Sequence, residues 1–171
     1  MKLILLAIIS LISEICVAQK RIPSNDSQSL IHKVLKNVYG KKFVKRIEDW
    51  RKHCYCIPQL NRNDTIHIYI EYVPWEAYYC ELIQIGDSLN GFTMQYLSNT
   101  LSCVIDRRLY SLHKVLNGCS NSDTIGKILT RDEAEEILDF SFINVITIIR
   151  RNGKYHYDSK SIYFEEINDW Q

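Results

Sequence analysis

Glycine and proline are scarce in this chain, at 6 and 3 of 171 residues. A glycine-rich loop able to cradle phosphates is therefore not expected, and none is found. An excess of one charge is also missing. Lys and Arg number 21 against 20 Asp and Glu, for a formal charge of +1. That balance argues against global disorder and against a strongly basic nucleic-acid binder. After the first 13 residues no apolar run approaches the roughly 20 residues that cross a bilayer as a helix. The Gly-x-Ser-x-Gly elbow and the His-Glu-x-x-His helix are missing as well, as are internal repeats and low-complexity segments.

What is present is an ordinary globular composition, 46% hydrophobic and 24% charged. The length suits one full-sized domain. Tyrosine is abundant, with 11 residues, and each buried hydroxyl needs a hydrogen-bond partner.

The N-terminus reads as an address. Lys2 precedes the apolar residues 3–9, and Cys16 and Ala18 occupy the −3 and −1 places of a small-x-small cleavage site. Residues 1–18 are thus expected to be a cleaved secretory signal peptide, and Gln19 to begin the mature chain. A lipid-attachment cysteine at Cys16 fits poorly, because Ile15 stands where a small residue belongs. Residues 19–29 form a flexible lead-in and residues 30–171 a single domain, exported to a periplasmic or extracellular site without a transmembrane segment. Five cysteines then remain: Cys54, Cys56, Cys80, Cys103 and Cys119. In an oxidising compartment an odd number predicts two disulfides and one free thiol. Pairing Cys54 with Cys56 is awkward geometrically; the sequence does not choose among the other arrangements. Asn25 and Asn63 match the N-glycosylation pattern.

Hydrophobic periodicity supplies the elements. A helix begins near Ser27 or Ser29 and carries Leu30, Ile31, Val34, Leu35 and Val38 on one face. Gly40 breaks it, and Phe43, Val44, Ile47 and Trp50 follow in nearly the opposite sector, as a second helix or a strand. Strands are expected at residues 65–73 and 78–85, with a turn at 86–91. A long helix is expected over residues 92–117, its stripe running through Met94, Leu97, Leu101, Val104, Ile105, Leu109 and Leu112 to a stop at Gly118. Thr130 and Glu133 have capping-box spacing and open a short acidic helix to residue 139. A central strand at 142–149 leads to the hairpin turn Asn152–Gly153, with returning strands at 154–158 and 162–164. The fold class is α+β: a mainly antiparallel sheet with one long helix and shorter helices on one face.

Four residues are the catalytic candidates. His67 and Glu71 share one strand face, and His156 and Asp158 share a face of the later hairpin. Were those strands adjacent, two imidazoles and two carboxylates would converge for acid–base or zinc chemistry. Cys54-x-Cys56 has too little spacing for a structural zinc pair or a thioredoxin-like motif. For binding, the segment 73–79 offers Trp75, Tyr78 and Tyr79 as anchors. Residues 32–53 concentrate Lys33, Lys36, Lys41, Lys42, Lys45, Arg46, Arg51 and Lys52 against Glu48 and Asp49. No cofactor or metal is implied.

These features favour a small exported binding protein of inhibitor, immunity or accessory type, whose partner is another protein or a second copy; no specific nucleic acid is expected. The alternatives are a small secreted hydrolase built on the scattered His and acidic residues, and a structural envelope or matrix component.

Overall fold

Ile66, Ile68 and Ile70 alternate with His67, Tyr69 and Glu71, a period of two that sets a strand with one strongly apolar face. In the computed structural model this is β1, Ile66–Val73. The structure describes residues 27–61, 64–73, 78–118, 126–136 and 140–165. The chain order is α1 (Ser27–Tyr39), α2 (Lys41–Cys54), β1, β2 (Tyr78–Ile85), β3 (Ser88–Gln95), β4 (Thr100–Ser102), α3 (Arg107–Leu116), β5 (Lys127–Leu129), α4 (Arg131–Glu136), β6 (Ser141–Arg151) and β7 (Lys154–Glu165). The strands form one seven-stranded sheet in the order β4-β3-β2-β1-β6-β7-β5. Every pairing in it is antiparallel.

Both faces of this sheet are covered. Leu30, Ile31, Val34 and Leu35 of α1 and Val44 and Ile47 of α2 pack onto Ile66, Ile68, Ile70, Tyr79, Phe92, Ile146 and Ile148. On the opposite face Leu109 and Leu112 of α3 pack onto Tyr69, Cys80, Leu82, Ile143, Val145 and Phe164. The expectation of helices on one face only is therefore corrected. The reason lies in β1 and β2, where Tyr69 and Leu82, opposite in register, are as buried as their isoleucine neighbours.

The bend at Gly40 is confirmed. Its φ of 88° suits glycine, and it lets α1 and α2 fold back so that their opposed apolar sectors both face the sheet. Residues 41–50, left open between helix and strand, are helical.

The expected long helix over 92–117 is not formed. Phe92 and Met94 alternate in β3 instead, a turn follows at Tyr96–Asn99, and only Arg107–Leu116 is helical. The stripe was ambiguous because Leu97 and Val104, counted in it, are solvent-facing at 87% and 68% exposure. Asp106 starts α3 by accepting the backbone N–H groups of Arg108 and Leu109. The capping box at Thr130–Glu133 forms as its spacing requires. Asn152 and Gly153 both take positive φ, and the returning segments join into one strand, β7.

One disulfide joins Cys54, at the end of α2, to Cys103, just beyond β4, with Cα atoms 4.9 Å apart. Residues 103–105 cross the edge of β3 at Gly91, where a Cβ would lie 2.5 Å from the Glu81 carbonyl oxygen and 3.2 Å from Ile105. The expected second disulfide is not found among the described residues. Cys56 is an exposed free thiol and Cys80 a buried one on the α3 side of the sheet, so the sheet separates them. Cys119, Asn25, Asn63 and the proposed signal peptide lie outside the described residues.

A buried ion pair locks α2 to β2. Arg51 continues the apolar stripe of Val44 and Ile47 one turn on, and is 3% exposed; Glu81 is 0% exposed. Arg51 Nε and Nη2 donate to the two Glu81 carboxylate oxygens at 2.8 and 2.6 Å. The hydroxyls of Tyr55 and Tyr79 donate to the same oxygens at 2.7 and 2.8 Å. Breaking such a pair from one side strands a charge in the core. Glu81→Gln is expected to cost about 3–5 kcal/mol in denaturant titration. Glu81→Leu combined with Arg51→Met should be more stable than Glu81→Leu alone, because no unpaired guanidinium remains.

Candidate functional site

The four catalytic candidates all project from the α3 side of the sheet, but β6 runs between their strands. Register places His67 beside Thr147, and Thr147 beside Asp158. With strands about 4.8 Å apart, His67 and Asp158 are separated by roughly 10 Å of backbone. Glu71 lies four residues along β1 from His67, roughly 13 Å away. His156 is in register with Ile149, one position past the end of the β1–β6 pairing. Pairs on one face thus form an open row rather than a closed constellation. No group of three or more His, Cys, Asp and Glu able to hold a metal occurs among the described residues.

Each candidate instead has its own surroundings. Glu71 is buried, and the Arg108 guanidinium of α3 reaches it, with Nη2 at 3.2 Å. Arg108 also donates to the Tyr78 hydroxyl at 2.9 Å and to Ser141 at 3.3 Å. Tyr78 in turn donates to Asp106 at 2.7 Å, so the cap of α3 and the sheet share one polar network. Burial pushes the Glu71 carboxyl above its usual range, while Arg108 pulls it down. The Cys80 thiol, 3.7 Å from Glu71, is pushed well up by burial and by the Asp106 and Glu71 charges. A thiol so disposed is a poor nucleophile.

His67 Nδ1 sits 3.3 Å from the Thr147 hydroxyl. His113 of α3 stands edge-on to the Tyr69 ring, its Nδ1 3.3 Å from the Tyr69 hydroxyl and 3.0 Å from Asn117 Nδ2. Burial lowers both histidines below 6.5, and for His67 the neighbouring His113 and Lys160 add to the effect. His156 is half-buried, its Nδ1 without a hydrogen-bond partner among the described residues, and Asp158 is exposed.

The aromatic candidates separate too. Trp75 lies outside the described residues. Tyr78 and Tyr79 are consecutive on β2 and point to opposite faces, Tyr78 into the Arg108 network and Tyr79 into the core against Trp50 and Phe92. By contrast Lys41, Lys42, Lys45 and Arg46 are all exposed on the outer side of α2, with the Arg46 guanidinium 5.7 Å over the Tyr96 ring.

Two small openings flank the end of α2. One, of about 160 Å³, lies among Glu48, Arg51, Lys52, Tyr55 and Cys56. The other, of about 370 Å³, lies at the disulfide among Leu89, Asn90, Val104 and Ile105. The groups that sequence reasoning missed are Glu81, Arg108 and Asp106, while Arg51, counted in the basic cluster, is buried rather than on that surface. A glutamate inside the apolar run 78–85 and an arginine on the stripe of Val44 and Ile47 were the available signals. Comparisons with protein-family models, with curated proteins and with solved structures find no match.

The lowered histidines have a pH consequence. Their folded-state proton affinity is below that of the unfolded chain, so their contribution to stability is complete above about pH 6.5 and is lost as pH falls through the folded values. Between about pH 7.5 and pH 5.5 the wild type should lose unfolding free energy relative to His113→Asn. A difference independent of pH would contradict this account of α3 on the sheet.

Proposed function

We propose that this is an exported binding protein that recognises an acidic surface of another protein through the outer side of α1 and α2. The observation that carries the reading is the unbalanced charge of that layer. Lys33, Lys36, Lys41, Lys42, Lys45 and Lys52 are all exposed, and none forms an ion pair among the described residues. On the acidic helix α4, by comparison, Glu133 pairs with Lys127 at 2.7 Å and Glu135 with Arg131 at 3.0 Å. The chain's charge is nearly balanced in sum but not in place: despite Glu48 and Asp49 this layer carries a net positive charge, and such a patch steers encounter with an oppositely charged partner.

Export is supported by the order of Lys2, the apolar residues 3–9 and the small residues Cys16 and Ala18. The Cys54–Cys103 disulfide fits an oxidising compartment. No helix among the described residues is long and apolar enough to cross a membrane.

Two measurements test the proposal. Protein recovered from the producing cells should begin at Gln19 on N-terminal sequencing; an intact Met1 refutes export by this route. Partner capture by cross-linking, followed by titration, should give binding that weakens as salt rises. The triple variant Lys41→Glu, Lys42→Glu, Lys45→Glu should bind about tenfold more weakly or worse. Its circular dichroism should be unchanged, since all three side chains are exposed. Equal binding by the variant, or native binding to nucleic acid in place of an acidic protein, would overturn the reading.

A further inference from the structure

The two edges of the sheet differ. At one, β4 pairs with the end of β3 and residues 103–105, tied down by the disulfide, cross the edge of that strand at Gly91. At the other, β5 pairs only with Tyr163, Phe164 and Glu165 of β7. Residues 154–162 of β7 therefore have no strand on their outer side among the described residues, and none of the backbone hydrogen bonds outside regular elements reaches them. Along these nine residues alternate positions direct N–H and C=O outward, which is a template for another strand.

The residues on that edge specify which strand. Lys154-Tyr-His-Tyr-Asp158 is complementary to itself when read antiparallel. About a two-fold axis through His156, Lys154 of each copy falls opposite Asp158 of the other, Tyr155 falls opposite Tyr157, and His156 meets its own equivalent. We infer that this protein forms a symmetric dimer by pairing β7 with β7 of a second copy in this register.

Parity, charge and the position of β5 favour this occupant and register. A two-fold axis perpendicular to the sheet pairs residues whose numbers sum to an even value, so each side chain meets one on its own face. Centring on Tyr157 sets Lys154 against Lys160, and centring on Asp158 sets it against itself; both oppose like charges. Centring on Ser159 pairs Asp158 with Lys160, but it drives the partner's Tyr155 and Lys154 into the positions that Leu129 and Ile128 of β5 occupy. Centring on His156 avoids both problems, because residue 160 then falls opposite residue 152 and the hairpin tip stops short of β5.

Lys154 and Asp158 would repel most foreign strands, as edge charges do; their arrangement lifts that barrier for the same sequence. A ribbon of this length buries less than the roughly 1,600 Å² of a standard stable interface, so the dimer is expected to dissociate on dilution.

Sedimentation velocity over a hundredfold range of concentration tests the inference. The wild-type protein should pass from monomer to dimer. Lys154→Asp and Asp158→Lys, both at exposed positions, should each weaken dimerisation about tenfold or more, since like charges then face each other twice. Mixing the two variants should restore a one-to-one heterodimer, and the double variant should restore the homodimer. A wild-type protein that stays monomeric throughout overturns the inference. So does a dimer that Lys154→Asp leaves intact, or a mixture that fails to associate.

Discussion

The Glu81 carboxylate is the point on which the helical layer depends. It is completely enclosed, yet it accepts four hydrogen bonds, two from Arg51 and one each from Tyr55 and Tyr79. Enclosing a charge costs several kcal/mol unless partners replace water on every side. Here the partners come from α2, from the segment just after it and from β2 itself. The helix cannot shift along the sheet without uncovering the carboxylate, so apolar packing supplies adhesion while this pair sets position. Gly91 is required nearby for a separate reason: any Cβ there would collide with the backbone carbonyl of Glu81 and crowd Ile105.

A looser version of the device operates on the other face. Glu71 of β1 meets Arg108 of α3, as Glu81 of β2 meets Arg51 of α2. Glu81 is opposite Ile70 in register and Glu71 is opposite Cys80, so the two carboxylates leave the sheet at neighbouring rows in opposite directions. Each helical layer is therefore pinned to the middle strands by one arginine reaching down to one glutamate. The difference is solvent: the Arg108 side chain is 33% exposed and that of Arg51 4%. The α3 layer is held more by its shared network with Tyr78, Asp106 and Ser141 than by one enclosed contact.

Legibility in the sequence followed the strength of local signals. Glycine at positive φ, the capping box and the Asn152–Gly153 turn are decided within a few residues, and all three were readable. Residues 92–105 failed because their apolar positions satisfy helix and strand spacing alike, and what decides between them is the covered edge of β3, a tertiary fact. Parity alone sets His67 with Glu71, and His156 with Asp158, on one face of their own strands. Whether they converge depended on strand order, and the insertion of β6 between β1 and β7 has no local signature. The buried ion pairs were visible as charges in apolar patterns, but each partner lies far along the chain, so periodicity named the anomaly without naming the match.

Strand order also divides the molecule by distance along the chain. β1 to β4 are a meander of near neighbours, and β6 and β7 are a hairpin joined by two residues. Within the sheet these two locally closed units meet along β1 and β6, where Glu71 must find Ile143. Contacts of that sequence separation are the ones that slow folding, since a long loop is closed before any pairing rewards it. The rate at which this chain folds is thus expected to be set along that central line, and a substitution there should be felt in kinetics in a way that one inside either unit is not.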